Sequence, residues 1–117
     1  MLKRYTWIVL TNAAEGTDDE FNHWYDTVHV PDLLKIPGVV GAERFKLAPY
    51  QSLMTDQGIK VVDAGNAPIA HRYLALYRIE TDNLPRVLNE VRTRAGTPEM
   101  IISETLLEAS TMCFEAF

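Results

Sequence analysis

Two runs of this chain are apolar on both faces of an extended strand. In Arg4-Tyr5-Thr6-Trp7-Ile8-Val9-Leu10-Thr11, alternation puts Trp7 and Val9 on one face and Ile8 and Leu10 on the other. In His71–Ile79, Tyr73, Ala75, Tyr77 and Ile79 share one face, with Leu74 and Leu76 opposite. Strands of this kind need cover on both sides of their sheet.

The remaining runs set the order of elements. Thr17-Asp18-Asp19-Glu20 matches a capping box, a Thr at the cap and a Glu three residues on. Phe21, Trp24, Tyr25 and Val28 follow at i, i+3, i+4 and i+7, the stripe of an amphipathic first helix. Pro31 removes a helical donor and restrains Val30, so this helix is expected to break or kink there. Val39–Leu47 reads as strand two, His71–Ile79 as strand three and Thr105–Phe117 as strand four. Asp82 is the expected cap of a second helix with stripe Leu84, Val87, Leu88 and Val91. Thr97-Pro98-Glu99 starts a short turn through Ile102. Residues 48–70 form a long connection in which Ile59-Lys60-Val61-Val62 is a candidate minor strand.

This order, β-α-β-β-α-β, is that of a ferredoxin-like α+β protomer: a four-stranded antiparallel sheet with two helices on one face. The helices cover one face of the sheet only. A second copy packed sheet to sheet is the simplest cover for the other, so a homodimer is expected.

The 117 residues suit one domain, residues 1–117. Apolar residues at 47% supply a core, which excludes intrinsic disorder. Eleven Lys+Arg against sixteen Asp+Glu give a net charge of −5, which argues against a nucleic-acid partner and against an anionic membrane surface. The single cysteine, Cys113, rules out an intrachain disulfide and a cysteine-based zinc cluster. The N-terminus lacks a signal-peptide h-region, and no run reaches the ~20 apolar residues of a spanning helix. A cytoplasmic protein is expected. No dinucleotide fingerprint, P-loop or G-x-S-x-G motif occurs, so no cofactor is expected.

The chemistry concentrates in the first helix. At about 100° per residue, Asn22, Tyr25, Asp26 and His29 lie along one edge. Tyr25 and His29 are i, i+4, and Asp26 and His29 are i, i+3, so both reach the imidazole. A histidine oriented by a carboxylate can act as a general base. The competing role for His29 is structural, a cap on the last free carbonyls ahead of Pro31. His23 points to solvent. It stands six residues from His29 on another face, so the two make no metal pair. Trp24 reads as core. Tyr73 and Tyr77 share a strand face with His71, and with Tyr5 and Trp7 they line a pocket if that face meets the helices. They pack a dimer interface if it does not. Arg44, Arg72 and Arg78 are strand arginines suited either to a bound carboxylate or enolate or to surface ion pairs.

Trp24-Tyr25-Asp26-Thr27-Val28-His29-Val30-Pro31, then Pro37-Gly38-Val39 and Arg44-Phe45, resemble the EthD-like branch of the dimeric α+β barrel superfamily. Arg72-Tyr73-Leu74-Ala75-Leu76-Tyr77 resembles its third strand, and Gly96-Thr97-Pro98 falls at a similar turn. The resemblance spans nearly the whole chain, and the W-x-x-x-x-H-x-P spacing carries most of it. It implies a sheet-to-sheet dimer with a small-molecule pocket between helices and sheet in each protomer. It also implies that His29 of the H-x-P is the functional histidine.

The resulting expectation is a cofactor-independent enzyme acting on an apolar carbonyl- or phenol-bearing molecule by acid–base chemistry: isomerisation, cyclisation, dehydration or lyase. His29 is its base or acid, Asp26 the orienting partner, and Tyr25 or Tyr77 the donor to a developing oxyanion. Asn22, Trp7, Tyr73 and Tyr77 contact the substrate, and no metal is involved. The alternatives are a cofactor-free monooxygenase on the same scaffold, a binding or accessory protein with the same pocket, and a structural dimer with a filled core.

Overall fold

The four long apolar runs form one antiparallel sheet in the computed structural model, which describes all 117 residues. In chain order the elements are β1 (Lys3–Ala13), α1 (Asp18–Trp24), a π-helical turn (Tyr25–His29), α2 (Val30–Leu34), β2 (Val39–Lys46), β3 (Tyr50–Thr55), β4 (Gly58–Asp63), β5 (Tyr73–Thr81), α3 (Leu84–Arg94) and β6 (Leu106–Glu115). The sheet order is β2-β5-β1-β6, the ferredoxin-like arrangement, and β3 and β4 make a separate hairpin. The expected minor strand within 48–70 is therefore one half of that hairpin. No helix is long and apolar enough to cross a membrane.

Register decides which face of each strand meets the helices. Trp7 lies opposite Tyr77, Val9 opposite Ala75 and Thr11 opposite Tyr73. Ala75, Tyr77 and Ile79 are buried with Phe21, Tyr25, Leu33, Ile36 and Val87. The tyrosine face of β5 thus meets the helices. The opposite face pairs Ile8 with Leu76 and Met112, Leu10 with Leu74, and Phe45 with Leu74. No element of the chain covers it, and Phe45, Met112 and Phe114 are exposed.

Three local expectations change. The capping box does not close: Thr17 has φ −114° and ψ 16°, outside the extended cap geometry, and its hydroxyl donates backward to the Ala14 carbonyl at 2.7 Å. The cap of α3 is Asn83 rather than Asp82. Pro85 fixes the helical start, and Asn83 accepts from the Arg86 amide at 3.1 Å. Pro31 does not end the first helix. The backbone widens ahead of it into the π-helical turn, in which the Val30 amide reaches the Tyr25 carbonyl, and then continues to Leu34. Lengthening the repeat to i→i+5 before a residue with no N–H leaves the turn without a broken ladder.

α2 hands over to β2 through Gly38, which has φ +100°. A Cβ there would stand 2.8 Å from Val87 Cγ2. Gly38→Ala is therefore expected to cost both a left-handed backbone penalty and a clash with α3, about 2 kcal/mol or more. Urea unfolding checks this against Gly16→Ala, where φ is +78° but nothing lies within 4 Å and only the backbone penalty applies.

Candidate functional site

Tyr25 opens the π-helical turn and is 1% exposed. Phe21 and Trp24, from the preceding turn of helix, meet its ring edge-on at 5.4 and 5.3 Å. His29, one turn later, meets it edge-on at 5.0 Å. From below, β2 presents Arg44, whose guanidinium carbon sits 4.3 Å from the ring centroid. Packing four side chains around one phenol follows from the aromatic stripe of α1 and from Arg44 lying on the helix-facing side of its strand.

Arg44 is the hub of the polar contacts. Nη1 donates to Asp26 Oδ1 at 2.9 Å and Nη2 to Asn22 Oδ1 at 2.8 Å. Its Nε is buried with no partner. Asn22 also reaches the Tyr73 hydroxyl at 3.5 Å, and that hydroxyl donates to Asp18. Arg72 adds a charge contact to Asp18 at 3.4 Å. The hydrogen bond to Asp18, with partial burial, holds the Tyr73 hydroxyl above its ordinary pKa. A cleft of about 390 Å³ opens here, lined by Asn22, Asp26, Arg44, Phe45, Lys46 and Tyr73.

His29 stacks on Trp24 with centroids 4.7 Å apart and planes 22° from parallel. Its Nδ1 is buried and unpartnered, so that nitrogen does not cap the helix. Burial lowers its pKa from 6.5 to about 4; Asp32 opposes the shift and Arg44 adds to it. Asp26, expected to orient His29, is instead held by Arg44 and is largely exposed. The acid that acts on the imidazole is Asp32. The i, i+3 spacing from Asp26 was real, but a guanidinium at hydrogen-bond distance outcompetes an imidazole without charge.

Tyr77 lies under the helix with its ring 5.2 Å from Trp7. Its hydroxyl neighbours that of Tyr25 without hydrogen-bond geometry and has no partner. Burial raises the pKa of both phenols, so both stay protonated. Tyr25, His29, Tyr77 and Trp7 therefore gather on the inner side, and Asn22, Asp26 and Tyr73 on the cleft side. Arg44 joins the two.

The sequence pattern gave Arg44 equal standing with Arg72 and Arg78, and it placed Asp18 only within the capping-box segment. Arg78 pairs with Glu43 at 2.8 Å on the open face of the sheet, and His71 with Glu108 at 3.2 Å. An arginine on the helix-facing register of a strand, opposite a polar helix edge, is the signal that singles out Arg44. Cys113 sits partly buried with its thiol pKa raised by burial, which makes it a poor nucleophile.

No protein-family model and no curated protein matches the chain. Solved structures do. A crystal structure of an ethyl tert-butyl ether D (EthD) family protein from Bacillus halodurans C-125 superposes with a TM-score of 0.56 at 16% identity, over 97% of this chain and 99% of that one. A variant of MhuD with two manganese protoporphyrin IX molecules bound per active site superposes with a TM-score of 0.53 at 16% identity, over 96% and 93%. The chain shares the α+β fold of both, a four-stranded antiparallel sheet with helices on one face.

The His29 shift has a measurable consequence. The unfolded imidazole titrates near 6.5 and the folded one near 4. Between these values only the unfolded chain binds the proton. Stability is therefore full above pH 6.5 and falls as pH drops toward 4, by no more than about 3 kcal/mol from this group. Urea unfolding across that window should show the slope in wild type and a smaller one in His29→Gln. An imidazole that titrates by NMR near its ordinary value would contradict the burial.

Proposed function

We propose that this chain is a small cofactor-independent acid–base catalyst for an apolar molecule bearing a carbonyl or phenol. One observation carries the reading. Three buried polar atoms without partners, His29 Nδ1, Tyr77 Oη and Arg44 Nε, belong to side chains that all border the Tyr25 ring. Each buried orphan costs about 1–3 kcal/mol. Such a cluster is expensive in a purely structural core and is accounted for when a ligand's polar atom comes to it.

The chemistry follows from the protonation states. His29 is neutral above pH about 4, so its free nitrogen can take a proton from carbon next to a carbonyl. A pKa this low gives little driving force in the empty site. A developing enolate favours the imidazolium and raises it. The protonated phenols of Tyr25 and Tyr77 donate to the oxyanion, and the fixed charge of Arg44 stabilises it in a water-poor interior. The route in is the cleft at Arg44. Asp26, itself largely exposed, holds that guanidinium, and a ligand's carbonyl or carboxylate oxygen can take its place on the fork. Asn22, Lys46 and Tyr73 then bind the ligand's polar end, while Asp26 and Asn22 hold Arg44 in the empty protein.

The protomer is also proposed to work as a homodimer through its open sheet face. Its surface of 7911 Å² exceeds the roughly 6,450 Å² expected of a monomer this size by about 1,450 Å². A stable interface needs about 800 Å² per partner. Ile8, Leu74, Leu76 and Phe114 supply the apolar contact.

A screen of polycyclic phenols and lactones with product analysis tests the catalytic reading. His29→Gln is expected to lose about 100-fold or more in turnover. Tyr77→Phe is expected to lose about 100-fold while its unfolding free energy stays equal or rises, because it deletes an unsatisfied hydroxyl. Unchanged turnover in His29→Gln would remove His29 from the mechanism. Ligand binding weakened by both variants, with no product from any form, would mark a binding protein instead.

A further inference from the structure

We propose that the β3–β4 hairpin is an arm that clasps a second copy of this chain, an inference that rests on the homodimer reading above and extends it. The hairpin stands outside the four-stranded sheet and pairs only within itself, from Tyr50–Asp63 to Thr55–Gly58. A two-stranded hairpin is marginal in water unless something packs on it.

Its two faces differ. Cross-strand partners share a face, so Tyr50, Ser52 and Met54 lie with Ile59, Val61 and Asp63. Tyr50, Met54, Ile59 and Val61 are 67%, 87%, 71% and 76% exposed. The other face carries Leu53 and Val62, both half-buried, together with Gln51 and Lys60. The face with the larger apolar groups is thus the one left in water, the reverse of what a free-standing hairpin would select.

Three features make a second copy the occupant. The protomer is more extended than a self-contained monomer, 45 Å in its longest dimension with a radius of gyration of 16.0 Å, against about 13.4 Å expected for this length. The surface in excess of a monomer's is larger than the flat sheet face of one standard interface requires, which leaves area for an arm. The root of the arm is also continuous with that sheet face: Leu47, Pro68 and Ile69 form an apolar notch of about 420 Å³ together with Leu10, Phe45 and Leu74. Two-fold symmetry then has each arm reach the other copy. The arm face carries one acid, Asp63, and no cation, so its contact is apolar burial rather than charge steering.

Analytical ultracentrifugation of the full chain, with hydrogen exchange read along residues 50–63, tests the arm. Three variants are compared: Met54→Lys with Ile59→Lys, Leu76→Lys on the sheet face, and residues 50–63 replaced by a short Gly-Ser link. The expected result is a wild-type dimer with arm amides that gain protection as concentration rises. The arm variants should dimerise about 30-fold or more weakly, with unchanged circular dichroism for the double lysine variant. Leu76→Lys should also weaken the dimer. A wild-type dimer disrupted by Leu76→Lys but untouched by both arm variants would overturn the arm and leave the sheet interface standing. A wild type that remains monomeric at high micromolar concentration would overturn both. Loss of ligand binding in the linked variant, with dimerisation intact, would make the hairpin a lid and overturn the clasp.

Discussion

The guanidinium of Arg44 against the face of Tyr25 is the contact on which the candidate site depends. It ties β2 to the first helix and fixes the phenol beneath which Tyr77 lies. Its fork anchors Asn22 and Asp26 along the helix edge. A stacked arginine of this kind contributes about 2 kcal/mol when desolvated. Its larger effect is electrostatic. A permanent positive charge in a poorly hydrated place favours neutral imidazole and any anion that forms nearby. The same residue therefore shapes both the empty site and the charge it can stabilise.

The π-helical turn is the second constraint. Without it, Pro31 would end the helix near His29 and leave the imidazole on a frayed terminus. With it, the backbone carries on to Leu34, and Leu33 and Ile36 reach the core. His29 is thereby held between two aromatic rings with one nitrogen bare. Widened helical turns are frequent at functional sites because they re-aim side chains at the cost of one strained turn.

The strands, the helix stripe and the element order could be read from alternation and from i, i+3, i+4 spacing, because burial imposes those periods locally. Helix caps were less legible. Thr17 and Asp82 are good caps by type, yet the chain enters α1 and α3 at angles that give Thr17 a backward bond and pass the role to Asn83. The edge Asn22, Tyr25, Asp26 and His29 was legible as a set, but its internal pairing was not. Asp26 turned to an arginine eighteen residues away, which no helical spacing encodes.

The sequence by itself determined the β-α-β-β-α-β order, the aromatic core of the first helix and the need for cover on both sheet faces. Each of these is a local pattern of side-chain type against backbone period. Only the tertiary structure decided that Tyr73 and Tyr77 face the helices, that Arg44 rather than Arg72 or Arg78 enters the site, and that residues 50–63 fold into an exposed hairpin. Those outcomes depend on strand register and on which face the helices cover. A shift of one residue would have turned every one of these side chains to the other side.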